Sequence, residues 1–436
     1  MSVYFGGYNL SSQLQEKLRQ SFDHRFNKEV QLSEKKIGEK YAVFQINRED
    51  NVICVYENES FLMQGSFYPY VSLKNNNPKN FSELSTFIKN RENLNVLNGV
   101  FSFVYFNENS LHLIRDYPGQ YPIYYKVLNQ CFMFSNSYEL LRSLGGDDIQ
   151  IVRPGSSVEF NIDSSQLTVD DYYRPYTFKV DEDPISQMDE LLYNITKQMY
   201  HMYDENEEHG VATLLSGGLD SSLITYYLTK FVKDVKSYTI SGKDNKFAKL
   251  VTGELGIAHE IKSISQNEWQ AAASLFPKRP YNENFYELTS SLFAPNLLLY
   301  RVIKMDGNRY IFGGSGSDEL FASYNQHLMY MKDISYATRQ ILDDSHIFLL
   351  ESLEYAARLA GVNCFSPFFA RELIDFSLSL PDIFKIRNGI EKWIVRKVAE
   401  QYLPKEIAWR EPGPLHVTTG SFEVINGKSY YESFYW

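Results

Sequence analysis

The sequence predicts two successive folding units, a layered β-sheet unit followed by a doubly wound α/β unit. Three observations carry this expectation. Short β-branched and aromatic runs dominate up to about residue 176, and beyond residue 183 strand-like and helix-like patterns alternate. The length of 436 residues exceeds one small core and suits two or three domains of roughly 100 to 200 residues each. With 44% hydrophobic, 15% aromatic and 22% charged residues, the chain has enough apolar material for sizeable cores.

From Tyr41 onward, "YAVFQI", "VICVY", "VFSFVYF", "LHLI", "IYYKV" and "CFMF" are punctuated by Asn, Gly and Pro and read as strands. "VRPGSSVEF" reads as a turn between two late strands. The polar, acidic "TFKVDED" marks the linker, which gives domains 1–180 and 181–436. Asp183 and Pro184 open a helix, because Asp caps free amides and Pro tolerates the first helical position. Ile185, Met188, Leu191, Leu192, Ile195 and Met199 follow at helical spacing and form its buried face. "GVATLLS", a helix from Ser221, "VKSYTIS", a helix from about Lys246 and "RYIFGGS" then alternate, before a mostly helical C-terminal part. That alternation predicts an open parallel sheet with crossover helices.

Fifty-four acidic against 43 basic residues leave a net charge of -11, which argues against non-specific contact with nucleic acid or an anionic membrane. No basic stripe points to a tRNA-type partner. Cys54, Cys131 and Cys364 are widely spaced, so neither a disulfide framework nor a zinc site is expected. The start "MSVYFGGYNL" has no secretory pattern, and no run reaches about 18 apolar residues; a cytoplasmic location is expected.

The stretch "LLSGGLDSSL", Leu214 to Leu223, joins a buried strand to a helix through a Ser-Gly-Gly turn. Gly217 and Gly218 let backbone amides approach an anion, and the helix start adds positive potential. Ser216, Ser221 and Ser222 add hydroxyl donors. Asp220 beside a phosphate is repulsive unless a cation lies between them, which implies Mg²⁺. A P-loop is excluded, since no lysine follows the second glycine. A second strand, "RYIF", runs into "GGSGSDELFASY", whose Asp318 is the expected second metal ligand. Alone such a turn is commonly just solvated; beside the first motif it completes a metal–phosphate pair at the carboxyl ends of parallel strands.

The first motif resembles the pyrophosphate loop, Ser-Gly-Gly-x-Asp-Ser, of enzymes that split ATP into AMP and pyrophosphate. The chain as a whole resembles the asparagine synthetase family in the broad sense, which includes β-lactam synthetases and lasso-peptide macrolactam cyclases. Gly314 to Phe321 match that family's Gly-Glu-Gly-Ser-Asp-Glu-Leu-Phe except at Ser315. Gly361, Val362, Pro367 and Phe368 match a later segment, and Lys392, Arg396, Leu403, Pro404 and Arg410 match the closing pattern. "LNGVFSFVYF", "IRDYPGQYPIYY", "FSNSYELL" and "RPGSSVEF" look like strands of the glutamine-hydrolysing domain. The resemblance therefore implies an N-terminal-nucleophile-like αββα sandwich followed by a doubly wound ATP pyrophosphatase domain. It implies ATP and Mg²⁺ as cofactors, with nucleotide contacts from Leu214, Ser216, Gly217, Gly218, Asp220, Ser221, Ile240, Gly314 and Ser315 and metal contacts from Asp220 and Asp318.

The departures matter as much. Glutamine-dependent members begin Met-Cys-Gly-Ile, whereas this chain reads Met1, Ser2, Val3, and a serine is a much weaker nucleophile than a thiol. Glutamine hydrolysis is not expected, and the first domain reads as a structural relic or contact surface. Ser315 cannot serve as the base at the position where relatives carry Glu or Tyr; Glu351 is the substitute, with a helix-surface carboxylate as the plainer alternative, as for Glu354 paired with Arg358. Asn363 and Ala370 replace a family Glu and Asp, and "REPGPLHVTTGS" carries no lysine after Arg410, where His416 is a weak substitute. Lys392 and Arg396 are the surviving cations, expected to act in catalysis.

The expected function is an ATP-dependent, AMP-forming amide ligase that adenylates a carboxylate and joins it to an amine. Intramolecular lactam or peptide macrolactam formation in natural-product biosynthesis comes first. An intermolecular ligase using ammonia or an amino acid, and a catalytically silent binding partner, remain as alternatives. The expected partner is a small molecule or peptide carrying both groups; the aromatic tail "SYYESFYW" leaves a homo-oligomer or partner protein open.

Overall fold

The computed structural model describes residues 3–17, 20, 32–37, 41–46, 60–67, 94–95, 97–106, 109–128, 131–145, 148–201, 210–324, 327, 333–411, 413 and 419–427. "VICVY", Ser2, Cys54, His416 and the aromatic tail lie outside the described residues. The chain divides into two compact units, Met1–Arg174 and Pro175–Trp436.

The first unit holds two antiparallel sheets. One is ordered β2-β3-β1-β8-β7-β9, from β1 (Val3–Tyr8), β2 (Leu32–Ile37), β3 (Tyr41–Ile46), β7 (Tyr124–Leu128), β8 (Cys131–Ser135) and β9 (Gln150–Ile151). The other is ordered β11-β10-β6-β5-β4, from β4 (Ser60–Phe67), β5 (Gly99–Phe106), β6 (Ser110–Arg115), β10 (Ser156–Asn161) and β11 (Leu167–Asp171). Side chains alternate across a strand, so Val104 and Phe106 face one way and Phe103 and Tyr105 the other. Val104, Phe106, Leu111, Leu113, Val158 and Phe160 of the second sheet share a core with Tyr4, Phe132 and Phe134 of the first. The Phe132 and Phe160 rings stack across it at 4.9 Å. The opposite face, through Phe101, Phe103 and Tyr105, is buried against Leu94, Leu97 and Tyr172. A strand buried on both faces needs a continuous apolar run, which is why "GVFSFVYF" scarcely alternates. Residues 12–17 and α1 (Tyr138–Ser143) are helical, and α1 packs on β7 and β8.

The second unit begins earlier than the acidic linker reading placed it, because the segment after Arg174 packs on α8 (Arg371–Ser379). The Tyr176 amide donates to Asp375 at 3.3 Å, the Phe178 amide to Ser379 at 2.9 Å, and the Phe178 ring meets Phe376 edge-on. Helix α2 (Pro184–His201) starts where the Asp-Pro signal put it: Asp183 accepts from the Ser186 amide and hydroxyl. The core of the unit is a five-stranded parallel sheet ordered β14-β13-β12-β15-β16, from β12 (Gly210–Leu214), β13 (Lys236–Ile240), β14 (Ala258–Lys262), β15 (Asn308–Phe312) and β16 (Asn363–Phe365). Helices α3 (Leu219–Leu228), α4 (Asn245–Leu255), α5 (Tyr286–Met305), α6 (Ser317–Leu320), α7 (Glu351–Ala360) and α9 (Trp393–Ala399) complete it around the sheet. From β12 the sheet grows in one direction through β13 and β14 and in the other through β15 and β16. The order therefore reverses between β12 and β15, where open α/β sheets bind ligands.

Two edge strands escaped the sequence reading. β14, "AHEIK", is half-buried and polar; β16 is three residues long, introduced by Gly361 in the left-handed conformation at φ 74°. Helix α3 starts two residues before the expected Ser221, with Gly218 as its N-cap, and ends at Leu228. The helix is not buried on one face alone, since Ser222 and Thr225 are covered as well as Leu223 and Ile224.

Candidate active site

Two loops meet at the carboxyl ends of β12 and β15. In the first, Gly217 adopts φ +72°, and a Cβ there would overlap the Ala248 amide, so the Ser-Gly-Gly turn requires glycine. Ser216 Oγ lies 3.0 Å from Ser221 Oγ and accepts from the Gly218 amide at 3.2 Å; Ser222 Oγ donates to Gly218 O at 2.6 Å. The hydroxyls thus brace the turn as well as lining it. In the second loop, a Cβ on Gly314 would lie 2.5 Å from Ser221 N and 2.7 Å from Asp220 C. That close approach brings the two motifs into direct contact. Ser315 is half-buried beside it, and Gly316, at φ +106°, turns the chain into α6. Leu214 and Ile240 end their strands on the same edge, half-buried and buried respectively.

Asp220 and Asp318 do converge, and Lys392 lies between them. Its Nζ donates to Asp220 Oδ2 at 2.7 Å and to Asp318 Oδ1 at 2.6 Å. The lysine side chain is 4% exposed, Asp220 18% and Asp318 42%, so the ammonium is enclosed while the second carboxylate still meets solvent. Burial pushes the Asp220 carboxyl up against the pull of Lys392. For Asp318 burial pushes the carboxyl up, but the charge and hydrogen bond of Lys392, together with the Ser323 hydroxyl, hold it below its ordinary range. The two carboxylates, in turn, outweigh burial at Lys392 and hold its ammonium above the usual lysine range. Next door, burial and the Asp318 charge push the Glu319 carboxyl up to about 7, while Tyr324 donates to it at 2.7 Å.

The donor set fits a divalent cation bound with phosphates. Such sites use one or two carboxylates plus substrate oxygens rather than a complete protein cage. Asp220 Oδ1 is buried without a hydrogen-bond partner among the described residues, and Asp318 sits across from it. No group of three or more His, Cys, Asp or Glu ligands forms among the described residues.

Arg396 was expected to act as a catalytic cation. The structure turns it elsewhere: Nε donates to Glu391 O at 2.8 Å, and Nη1 to Ala408 O at 3.1 Å and Arg410 O at 2.8 Å. It braces the backbone that carries Arg410. Arg410 is the cation that sequence reasoning passed over as a site residue. Its Nη1 donates to Gly217 O at 2.9 Å, its other arm pairs with Asp244, and its guanidinium lies 4.1 Å over the Phe247 ring. The only sequence signal was its place in the closing pattern.

Glu351 is no surface carboxylate; it is 1% exposed at the start of α7. It forms an ion pair with buried Arg279, and one oxygen accepts from Tyr281 Oη at 2.5 Å, while Arg279 donates to Tyr281 Oη at 2.8 Å. Gly361 and Val362 alone join α7 to β16, so the chain turns back on itself and α7 starts at the carboxyl edge of the sheet. One turn on, Glu354 pairs with Arg358 at 3.3 Å. Nothing in "KRPYNENF" marked Arg279 or Tyr281 as partners of a residue some 70 positions away.

A family model described as asparagine synthase matches residues 206–357 and 346–426. A Methanocaldococcus jannaschii protein named as asparagine synthetase [glutamine-hydrolyzing] 1 is 22% identical over 453 residues, 88% of this chain and 81% of that one. Asparagine synthetase B [glutamine-hydrolyzing] of Escherichia coli is 27% identical over 74% of this chain and 61% of its own length. The Gallus gallus asparagine synthetase [glutamine-hydrolyzing] is 28% identical, with 46% of this chain and 38% of that one aligned. The chain thus spans less than two thirds of the length of the second and third of these relatives. With the family model covering the loops of Asp220 and Asp318, the lysine between them and half of the chain, the protein belongs to the asparagine synthase family.

Proposed function

We propose that this protein is an ATP-dependent, AMP-forming amide ligase. The observation that carries the reading is the convergence of Asp220, Asp318 and Lys392 on one point beside a glycine-rich helix start, at the switch point of a parallel sheet. Gly217, Gly218 and the first turn of α3 present backbone amides to the phosphates of ATP, and Leu214 and Ile240 offer apolar surface at the strand ends. Asp220 and Asp318 would hold Mg²⁺. Bound there, the metal would neutralise charge on the phosphates. The substrate carboxylate attacks the α-phosphorus, and the bond from that phosphorus to pyrophosphate breaks. An amine then attacks the acyl carbon of the adenylate and gives up a proton, the acyl carbon–oxygen bond breaks, and AMP departs carrying the former carboxylate oxygen.

Lys392 supplies a positive charge to the phosphates, Arg410 holds the Gly217 carbonyl so that the turn keeps its shape, and Arg396 braces Arg410. Glu351, with Tyr281 bonded to it, is the group assigned to the amine end of the reaction. Amide formation without glutamine hydrolysis is part of this reading. Of the described thiols, Cys131 is buried and donates to Asn9 O, and burial pushes the Cys364 thiol up to about 11, so neither is poised as a thiolate nucleophile. Within the class, ring closure to a lactam or peptide macrolactam uses an amine already present in the substrate. The names of the relatives favour a second reading, intermolecular amide formation with ammonia or an amino acid.

Purified protein offered ATP, Mg²⁺ and carboxylate–amine substrates is expected to release pyrophosphate and AMP, and Asp220→Ala to abolish release in a folded protein. Phosphate and ADP as products would refute the reading. Mass spectrometry separates the two versions: ring closure removes the elements of one water from a single substrate, whereas intermolecular joining adds the mass of an external amine less one water.

A further inference from the structure

Lys392 occupies the point at which a cation would be shared by Asp220 and Asp318. Its position is not adjustable at the backbone. The residue adopts the left-handed conformation at φ 53°, its amide donates to Phe321 O at 3.1 Å, and its carbonyl accepts from the Arg396 amide at 3.0 Å as the N-cap of α9. The ammonium, by contrast, stands on four rotatable bonds and can be swung without moving the main chain.

We propose that the Lys392 ammonium and a divalent cation compete for the same carboxylate oxygens. Metal is then held firmly only together with a polyphosphate group, to which Lys392 transfers its hydrogen bonds. The inference rests on the ligase reading for its nucleotide, but its logic is local. Both donor bonds run to carboxylate oxygens at 2.6–2.7 Å, within the range of charge-assisted hydrogen bonds, so the ammonium fills the space a metal ion bridging those oxygens would need. Two cations at that separation repel strongly in an enclosed site. A displaced ammonium that is 4% exposed cannot be left without an anion, because a buried unpaired charge is among the costliest groups a protein can carry. Glu319 and Glu391 also lie within reach of its charge, but each is already engaged, Glu319 by the Tyr324 hydroxyl and Glu391 by the Ser323 hydroxyl. Burial pushes both carboxyls up, and Arg396 and Arg410 are cations themselves. Phosphate oxygens offer the partner it needs, and they arrive with the metal. The lysine thereby makes metal binding conditional on nucleotide, and keeps the paired carboxylates close together before it arrives.

The test uses the full chain and Mn²⁺, with protein-bound metal read by water-proton relaxation and no substrate present. Without nucleotide, Lys392→Met is expected to bind Mn²⁺ roughly tenfold more tightly than the wild type, whereas Lys392→Arg, which keeps the charge, stays near the wild type. Adding pyrophosphate is expected to raise wild-type Mn²⁺ affinity by roughly tenfold and to raise that of the Met variant far less. Met-variant affinity no tighter than the wild type, in a protein folded by circular dichroism, overturns the proposal. So does a wild type whose Mn²⁺ affinity pyrophosphate leaves unchanged, and this arm decides alone should the variant not fold. Neither arm involves turnover. A chain that forms no amide can still pass, and one that releases pyrophosphate and AMP can still fail.

Discussion

Asp116 follows directly on β6 in the first unit and is 2% exposed. Burial pushes its carboxyl from 3.8 up to about 7, with the neighbouring Arg115 charge offsetting only part of the shift. The folded protein therefore holds a proton that the unfolded chain releases near pH 4. Below that pH both states are protonated, and the contribution to stability is fully present. As pH rises from about 4 to about 7 the unfolded state is favoured, and above 7 the loss is complete. A shift of about three pKa units at 1.36 kcal/mol each corresponds to about 4 kcal/mol, an upper bound. Asp116→Asn cannot titrate. Its stability relative to the wild type should therefore rise by about 3–4 kcal/mol between pH 4 and pH 8. All four tryptophans, Trp269, Trp393, Trp409 and Trp436, belong to the second unit, so a probe on the first unit's own strands is needed. The suitable assay is hydrogen exchange of the β5 and β6 amides in a urea series, corrected for the intrinsic pH dependence of exchange. A difference between variant and wild type that stays constant across the pH range refutes a carboxyl held neutral by burial.

Arg279→Met leaves Glu351 as a buried charge without its arginine and should cost about 3–5 kcal/mol, read by urea unfolding through tryptophan fluorescence. Adding Glu351→Leu should recover most of that loss; no recovery would show that the pair is not what the single variant disrupts. Gly314→Ala drives a methyl against Ser221 N and the Asp220 backbone, separating the two loops by about 1 Å, and should lower pyrophosphate release about 100-fold. Near-normal turnover would mean that the loop contact does not align the site. Arg410→Gln should raise KM for ATP about tenfold with a smaller change in kcat, since the lost charge-assisted bond holds the shape of the loop. Equal losses in both constants would instead place Arg410 at the transition state.

Much of this protein could be read from its residues alone, because the relevant signals are local. Strand–turn–helix patterning around "LLSGGLDSS" depends on glycine geometry and on amides at a helix start, both properties of consecutive residues. The division into an antiparallel β unit and a parallel α/β unit likewise followed from runs and alternation, although the boundary moved. The acidic stretch marked solvent exposure, whereas Tyr176 and Phe178 were already packed on α8. The edge strands β14 and β16 stayed hidden, as a strand with little buried surface carries little apolar pattern.

What tertiary structure alone decided is which charges meet. Asp220 and Lys392 stand 172 residues apart, and no spacing rule joins them. Only the parallel pairing of β12 with β15 and the fixed start of α9 set Lys392 between two carboxylates. The same holds for Arg396, whose guanidinium found three carbonyls, and for Glu351, which was expected as a base or, failing that, a surface carboxylate and lies buried on Arg279. Residue type states that a side chain can carry a charge. Which neighbour neutralises that charge, and what it is then free to do, is a property of the fold.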